Sequence, residues 1–215
     1  RAEMPKYYIQ TYGCQMNYSD SERMETYLQA LGYKKVEAME DADLILFNTC
    51  SIKQKAEDKV LGQIKKLRAI KKNNPDLKVV IAGCMVRKSS SRYSETRDRL
   101  LTRVRELDIA LRTEELPKLA ELIREIDPNS TIEAIEEESL EDYFKIEASN
   151  STYKSKTQAF LPVSNGCDKF CTYCIVPFSR GREKSRSLEE ILRDAEELVE
   201  KGIKEITLIG QTVNS

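Results

Sequence analysis

The sequence predicts an α/β protein with a doubly wound parallel-sheet domain over residues 1–126, followed by the beginning of a (β/α) barrel over residues 157–215. Two observations lead to this prediction. Short apolar runs of strand length alternate with segments of helical periodicity through the first domain. After a polar stretch, a strand, a cysteine-rich loop, a helix and another strand follow in the order of the first βαβ unit of a barrel.

The first strand is predicted at residues 7–11. The helix after it is predicted to begin at a capping box formed by Ser19 and Glu22 and to end near Gly32. Residues 43–48 form a continuous apolar run, which is typical of a strand that is buried on both faces. These three elements predict the first half of a parallel sheet.

A second capping box, Ser51 with Gln54, opens the next predicted helix. That helix ends before Asn73, because Pro75 disfavours helical backbone at the residue before it. The following strand is predicted at residues 78–82. The remaining elements of this domain are predicted at residues 95–106 (helix), 108–111 (strand) and 114–126 (helix).

Residues 127–156 are polar and acidic, and we interpret them as an interdomain linker. A strand over residues 158–163 then leads into the cysteine-rich loop. A third capping box, Ser187 with Glu190, opens a helix that runs to about Lys201. The last predicted strand is at residues 205–209. Because two strands cannot close a barrel, we expect the chain to be a fragment of a longer enzyme and inactive alone.

The composition describes a chain with enough apolar residues for a core. Of its 215 residues, 40% are hydrophobic and 33% are charged, and the net charge is −1. No apolar run approaches the roughly 20 residues that span a bilayer, and no secretory signal opens the chain. We therefore expect a cytoplasmic protein in a reducing compartment, with no membrane partner.

The charges are unevenly distributed along the chain. Residues 51–72 and 87–105 are rich in lysine and arginine, whereas residues 133–147 are acidic. A nucleic-acid binder with an acidic linker would show this asymmetry. For any single segment, a solvated helix face is the commoner explanation.

Three of the six cysteines, Cys167, Cys171 and Cys174, follow the spacing C-x3-C-x2-C. A tetrahedral zinc site takes four N or S ligands, and the chain has no histidine to supply the fourth. The spacing also differs from the C-x2-C-x2-C run of bacterial ferredoxins. Three thiolates suit an iron–sulfur cluster with one iron left open. Buried structural cysteines or a disulfide pair are the alternative, which the absence of a secretory signal disfavours.

The other three cysteines, Cys14, Cys50 and Cys84, each lie just past the end of a predicted strand. The carboxyl ends of parallel strands share one edge of the sheet, where such folds place their ligands. We therefore expect the three thiols to converge and interpret them as a second three-thiolate iron–sulfur site. The alternative is three unrelated free cysteines, which are common as small buried hydrophobes.

The C-x3-C-x2-C loop, with Tyr173 before its last cysteine, resembles that of the radical S-adenosylmethionine (SAM) enzymes. The segments YIQTYGCQMN (8–17), FNTCS (47–51) and AGCM (82–85) resemble the three cysteine motifs of the methylthiotransferase family. The resemblance implies two 4Fe–4S clusters. Cys14, Cys50 and Cys84 would hold an auxiliary cluster that carries the sulfur to be inserted, and Cys167, Cys171 and Cys174 would hold the cluster that binds SAM. It also implies SAM contacts at Tyr173, Gly210 and Gln211, with no catalytic residue assigned beyond the cluster ligands.

Gln15-Met16-Asn17 is similar to the tRNA-modifying branch of this family, whereas the branch that acts on a ribosomal protein tends to have Pro-Lys-Asn there. The implied reaction inserts sulfur and transfers a methyl group at C2 of N6-isopentenyladenosine, beside the anticodon. The implied partners are the tRNA anticodon stem-loop and an electron donor such as flavodoxin or ferredoxin, with no DNA. Threonylcarbamoyl-adenosine in tRNA and an aspartate of a ribosomal protein are alternative targets. A non-catalytic iron–sulfur electron carrier or scaffold is the alternative from a different class.

Two stretches carry features outside the cysteine motifs. Residues 86–113 are rich in serine and arginine, and Arg112 stands where the family usually has glycine. Four basic residues follow the cysteine loop, and they could contact phosphates or the SAM carboxylate or form a solvated loop. They are Arg180, Arg182, Lys184 and Arg186.

Overall fold

The computed structural model describes residues 4–50, 54–127 and 155–214. We call residues 4–127 the N-terminal unit and residues 155–214 the C-terminal unit. The N-terminal unit contains β1 (Lys6–Tyr12), α1 (Gln15–Ala30), β2 (Lys34–Lys35), β3 (Leu44–Thr49), α2 (Gln54–Asn73), β4 (Lys78–Gly83), β5 (Ser90–Ser91), α3 (Arg99–Arg103), β6 (Ile109–Leu111) and α4 (Lys118–Ile126). The C-terminal unit contains β7 (Gln158–Pro162), β8 (Ser164–Asn165), α5 (Val176–Ser179), β9 (Lys184–Ser185), α6 (Leu188–Glu200) and β10 (Glu205–Ile209).

The N-terminal unit is built on a six-stranded sheet with the order β2-β1-β3-β4-β6-β5. All neighbours pair in parallel except β5, which runs antiparallel to β6. The chain moves outward in one direction from β1 to β2 and in the other direction from β3 to β6. The gap between the carboxyl ends of β1 and β3 is therefore the topological switch point, where open parallel sheets bind ligands.

Helices cover both faces of this sheet, as the doubly wound prediction requires. Leu44 and Leu46 of β3 pack on the side of α1 and α4, whereas Ile45 and Phe47 pack on the side of α2 and α3. All four side chains are fully buried, and each contributes roughly 1.5–3 kcal/mol relative to exposure. Burial on both faces is the physical reason why this strand reads as a continuous apolar run.

The first helix differs from its prediction at the start and agrees with it at the end. Helix α1 begins at Gln15 with Cys14 as its N-cap, so the proposed cap at Ser19 is wrong. The side-chain oxygen of Asn17 accepts a hydrogen bond from the Cys14 N–H at 3.2 Å, which caps the helix five residues before the predicted position. At the other end, Gly32 adopts φ +84° and Tyr33 N–H donates to the Leu28 carbonyl, in a Schellman motif.

The region after β4 departs most from the sequence prediction. The helix expected at residues 95–106 is only the five-residue α3, because Asp98 caps it at the Leu100 N–H. The other Asp98 oxygen accepts from the backbone of Arg87 and Lys88, so the residues before Asp98 belong to a turn. The serine-rich segment contributes β5, which the sequence did not predict.

Two further boundaries differ from the predictions, and two predicted features lie outside the described residues. Helix α4 starts at Lys118 rather than residue 114, after a 3-10 turn at Thr113–Glu115 that leads into Pro117. Helix α2 runs through Asn73, and the predicted cap at Ser51 lies outside the described residues. Residues 128–154, most of the predicted linker, also lie outside the described part of the chain.

The C-terminal unit contains the predicted parallel βαβ unit. Strands β7 and β10 pair in parallel, and their inner side chains pack with those of Leu198 and Ile203. The capping box is present, because the Ser187 hydroxyl accepts from Glu190 N–H and the Glu190 carboxylate accepts from Ser187 N–H. Helix α1 also packs against β7, which brings the two units together. None of the helices in the described ranges is long and apolar enough to cross a membrane.

Candidate metal and cofactor centre

Three thiols meet at the carboxyl edge of the N-terminal sheet. Cys14, Cys50 and Cys84 follow β1, β3 and β4, and the Cys50 thiol is hydrogen bonded to the thiols of the other two. Cys50 and Cys84 are buried at 1% and 2% exposure, whereas Cys14 is exposed. The structure thus brings these three residues together at the switch point, and their role as cluster ligands stays a prediction.

A buried pair of asparagines holds the first two of these cysteines in place. The Asn17 amide donates to the side-chain oxygen of Asn48 and to the Thr49 carbonyl, both at 3.2 Å. The Asn48 amide donates to the Asn17 carbonyl at 2.7 Å and to the Ser21 hydroxyl at 2.9 Å. Because Asn17 also caps Cys14, the pair ties the start of α1 to the strand end that precedes Cys50.

The third cysteine depends on a close approach between two backbones. Gly83 adopts φ +95°, and an added Cβ would lie 2.2 Å from the Thr49 carbonyl oxygen. Cys84 N–H donates to that same oxygen at 2.9 Å. Only glycine fits this position, so Gly83 places Cys84 directly beside the end of β3.

The surroundings favour thiolates at this site. The pKa of Cys14 is lowered to about 5, mainly by the hydrogen bond between Cys14 and Cys50, and burial opposes this shift. The N–H groups of Met16 and Asn17 and the charge of Arg180 lower the Cys14 pKa further. The hydrogen bond with Cys50 and the nearby Arg180 likewise lower the pKa of Cys84 to about 6, again against burial. Metal ligation requires deprotonated cysteines, so these environments suit it.

The second cysteine loop is fixed at both ends by backbone contacts. Gly166 has φ +83°, and an added Cβ would lie 2.2 Å from the Arg182 carbonyl oxygen. Its N–H donates to the Gln211 side chain at 2.7 Å, and Cys167 N–H donates to the Gly181 carbonyl at 3.2 Å. The short β8–β9 ladder closes the loop behind these contacts. Cys167 and Cys174 are half-buried and Cys171 is exposed.

A cavity of about 490 Å³ joins the two cysteine sites. This volume lies within the range of small-molecule sites. Three stretches of chain line the cavity: Cys14, Gln15 and Met16; Cys167, Cys174 and Val176; and Leu208, Ile209, Gly210, Gln211 and Val213. Of the predicted SAM contacts, Gly210 and Gln211 therefore face the cavity. Tyr173 is 91% exposed and does not line it.

The donor set suits iron–sulfur clusters better than a single ion. In the described ranges, no group of three or more His, Cys, Asp or Glu side chains is arranged to hold one metal ion. An iron–sulfur cluster has a different requirement, because each cysteine binds a different iron. Both sites offer three thiols on rigid strand ends or a clamped loop, which fits such a group.

Arg180 lies in a buried position that the sequence did not predict. Its sequence neighbourhood groups it with three other basic residues, of which Arg182 is exposed as a solvated-loop residue would be. Arg180 is instead 4% exposed and pairs at 2.6 Å with Asp20, which is fully buried in α1. No local sequence pattern distinguishes Arg180 from Arg182. The difference in their exposure arises from the packing of the two units.

Two family models match the chain. The first, described as "Uncharacterized protein family UPF0004", covers residues 6–102, and the second, "Radical SAM superfamily", covers residues 161–215. Together they match both cysteine sites.

Curated relatives align over nearly the whole chain. A tRNA-2-methylthio-N(6)-dimethylallyladenosine synthase of Dictyoglomus thermophilum is 43% identical over 99% of this chain and 46% of the relative. The Bacillus subtilis protein of the same name is 41% identical over 98% of this chain and 40% of the relative. The chain thus spans about half the length of the curated relatives it matches.

A solved structure shares the fold. The radical S-adenosylmethionine methyltransferase TsrM from Kitasatospora setae, solved with a tryptophan substrate and a SAM analog bound, superimposes with a TM-score of 0.54. It is 12% identical, and the match covers 96% of this chain and 47% of that one. This likeness supports the α/β architecture with a largely parallel sheet.

Proposed function

We propose that the chain belongs to the same family as these tRNA-2-methylthio-N(6)-dimethylallyladenosine synthases and that its sites serve radical SAM methylthiolation of tRNA. The proposed reaction inserts sulfur and adds a methyl group at C2 of N6-isopentenyladenosine in the anticodon stem-loop. The names of the relatives support this substrate. We include a flavodoxin or ferredoxin as the electron donor.

One observation carries the proposal: cysteines from both triads line a single cavity. Cys14 of the auxiliary site lines it from the N-terminal unit, and Cys167 and Cys174 line it from the C-terminal unit. Sulfur insertion needs the radical and the sulfur to meet at one carbon atom. An electron carrier has no need for such a shared, ligand-sized space, so the cavity favours catalysis over a scaffold.

We assign one 4Fe–4S cluster to each triad. When bound, the pair supplies reductive cleavage of SAM at one site and a sulfur carrier at the other. Cys167, Cys171 and Cys174 would hold the first cluster, and Cys14, Cys50 and Cys84 would hold the second. Three thiolates at each site leave one iron without a protein ligand.

The remaining residues that line the cavity would bind and orient SAM and the substrate. Gly210 and Gln211 present the end of β10 to the cavity, and the Gln211 side chain is already held by the Gly166 N–H. Leu208, Ile209 and Val213 give this wall an apolar surface that excludes water from a reactive intermediate. Cys14, Gln15 and Met16 at the start of α1 line the other side of the cavity.

Iron counting tests the cofactor assignment. The 215-residue chain, reconstituted anaerobically with iron and sulfide, should bind about eight irons, and alanine at either cysteine triad should reduce this to about four. An unchanged count after replacing Cys14, Cys50 and Cys84 would reject the auxiliary site.

Product analysis tests the reaction. The full-length gene product should form 5′-deoxyadenosine from SAM under dithionite, and tRNA from cells that lack the gene should lose its methylthiolated isopentenyladenosine in nucleoside mass spectrometry. Absence of 5′-deoxyadenosine would favour the electron carrier. Loss of a methylthiolated threonylcarbamoyl-adenosine or aspartate instead would identify one of the alternative targets.

A further inference from the structure

Arg180 is a buried cation that connects the two cysteine sites. It directly follows α5, and its guanidinium donates to Asp20 at 2.6 Å and to the Asn165 side chain at 3.2 Å. The guanidinium also donates to the Cys84 thiol. Asp20 and Cys84 belong to the N-terminal unit, so this one side chain reaches across the boundary to the auxiliary site.

The backbone beside Arg180 contacts the other site. The carbonyl of Gly181 accepts the N–H of Cys167, and Asn165 lies two residues before that cysteine. A stretch of two residues therefore touches Cys84 through a side chain and Cys167 through the main chain. Any shift of Arg180 would move one cysteine site relative to the other.

Stability alone is a weak explanation for this arrangement. Burying two charges costs several kcal/mol of hydration per ion, and the mutual attraction of the pair often does no more than offset that cost. Arg186 and Asp194, at 2.5 Å, already give the C-terminal unit a comparable ion pair. What distinguishes the Arg180–Asp20 pair is that its cation is aimed at a thiol.

We propose that Arg180 is a positioning residue that raises the reduction potential of the auxiliary site and fixes that site against the SAM loop. This inference rests on the proposed function, since it needs a cluster on Cys14, Cys50 and Cys84. A positive charge and an N–H donor next to a cluster thiolate stabilise the reduced, more negative state. Asp20 holds the guanidinium in place and offsets part of its charge. Arg180 and Asp20 should therefore shift the potential in opposite directions.

The test isolates the auxiliary site by replacing Cys167, Cys171 and Cys174 with alanine in the 215-residue chain. In that background, potentiometric titration followed by electron paramagnetic resonance compares Arg180→Gln, Arg180→Lys and Asp20→Asn. Arg180→Gln should lower the ratio of reduced to oxidised cluster at a fixed potential about tenfold, a shift of 59 mV for one electron. Arg180→Lys should lower the reduction potential by less than Arg180→Gln does, and Asp20→Asn should raise the reduction potential.

Arg186→Gln is the matched control, because it breaks the buried ion pair with Asp194 in the same unit. It should lower thermal stability and leave the potential unchanged. A purely structural Arg180 would instead make Arg180→Gln and Asp20→Asn lose iron together, with no opposed shifts. That result overturns the proposal. The proposal is also overturned if the background binds about four irons and none of the Arg180 variants binds iron. A background that binds no iron would reject the proposed auxiliary cluster itself.

Discussion

The replacement Asn48→Ala tests whether the buried asparagine pair holds the auxiliary site together. It removes three hydrogen bonds, two donated to the Asn17 carbonyl and the Ser21 hydroxyl and one accepted from the Asn17 amide. Asn17 and Ser21 are 0% and 3% exposed, so water cannot replace the lost partner freely. Each buried group left unsatisfied costs about 1–3 kcal/mol, and the Asn17 amide keeps its bond to Thr49.

Because the Asn17 amide keeps Thr49 and the Ser21 hydroxyl keeps Thr11 as a partner, we count about 1 kcal/mol for each of the three lost hydrogen bonds and expect a loss of about 3 kcal/mol in the free energy of unfolding. For a chain of this size, that corresponds to a fall of about 6–12 °C in Tm. Circular dichroism of the reduced, iron-free chain measures it. Iron per chain after reconstitution should also fall, because Cys14 and Cys50 lose their common anchor.

Thr26→Ala is the matched control on the same helix. The Thr26 hydroxyl donates to the Glu22 carbonyl one turn earlier, a bond that adds little to helix stability. Its Tm and iron count should stay close to those of the unmodified chain. A Tm for Asn48→Ala within about 2 °C of the unmodified chain, with full iron loading, would refute the role of the pair.

Three further predictions follow from single contacts. Gly83→Ala should destabilise the chain by more than about 1 kcal/mol, since its Cβ would collide with the Thr49 carbonyl. Its control is Gly62→Ala in α2, where nothing lies within 4 Å of the added Cβ, and this change should stabilise the chain by about 0.5–1 kcal/mol. Equal changes in Tm for the two variants would contradict this prediction. Burial raises the pKa of Glu114 from 4.5, so its contribution to stability is present below that value and lost as pH rises through the higher folded pKa. The Tm of Glu114→Gln should accordingly gain on the unmodified chain between pH 4.5 and pH 7, and a constant difference would argue against it. Ser187→Ala should cost about 1 kcal/mol through loss of the α6 cap, measured by chemical denaturation, and an unchanged midpoint would show that the cap is dispensable.

The strands and the convergence of Cys14, Cys50 and Cys84 could be predicted because both follow from pattern and topology. An apolar run such as residues 44–47 directly predicts a buried strand. The carboxyl ends of parallel strands share one edge of the sheet whatever its surroundings. The start of α1 could not be predicted in the same way. Its polar residues imitate a capping box, but Asp20 and Ser21 are polar because they face other buried polar groups.

The same limit applies to Arg180. A basic residue in a basic stretch is by default solvated, and only the packing of α1 against the C-terminal unit makes this one buried. Glu114 is buried for a related reason, since it lies beside Arg112 and near Gly181. Contacts between residues more than 60 positions apart leave no periodic pattern in the sequence. The sequence alone therefore predicts that such charged residues lie on the surface.

Helix α1 explains why the two cysteine sites can share one cavity. Its N-cap is a proposed ligand, Cys14, and its first turns present Asn17, Asp20 and Ser21 at spacings of three and four residues, on one side of the helix. Asn17 and Ser21 bond to Asn48 at the sheet edge, and Asp20 bonds to Arg180 of the other unit. One rigid helix thus carries a ligand, the anchor of that ligand and the contact between the units. The distance from Cys14 to the second loop is therefore determined by regular helix geometry and two sets of buried hydrogen bonds.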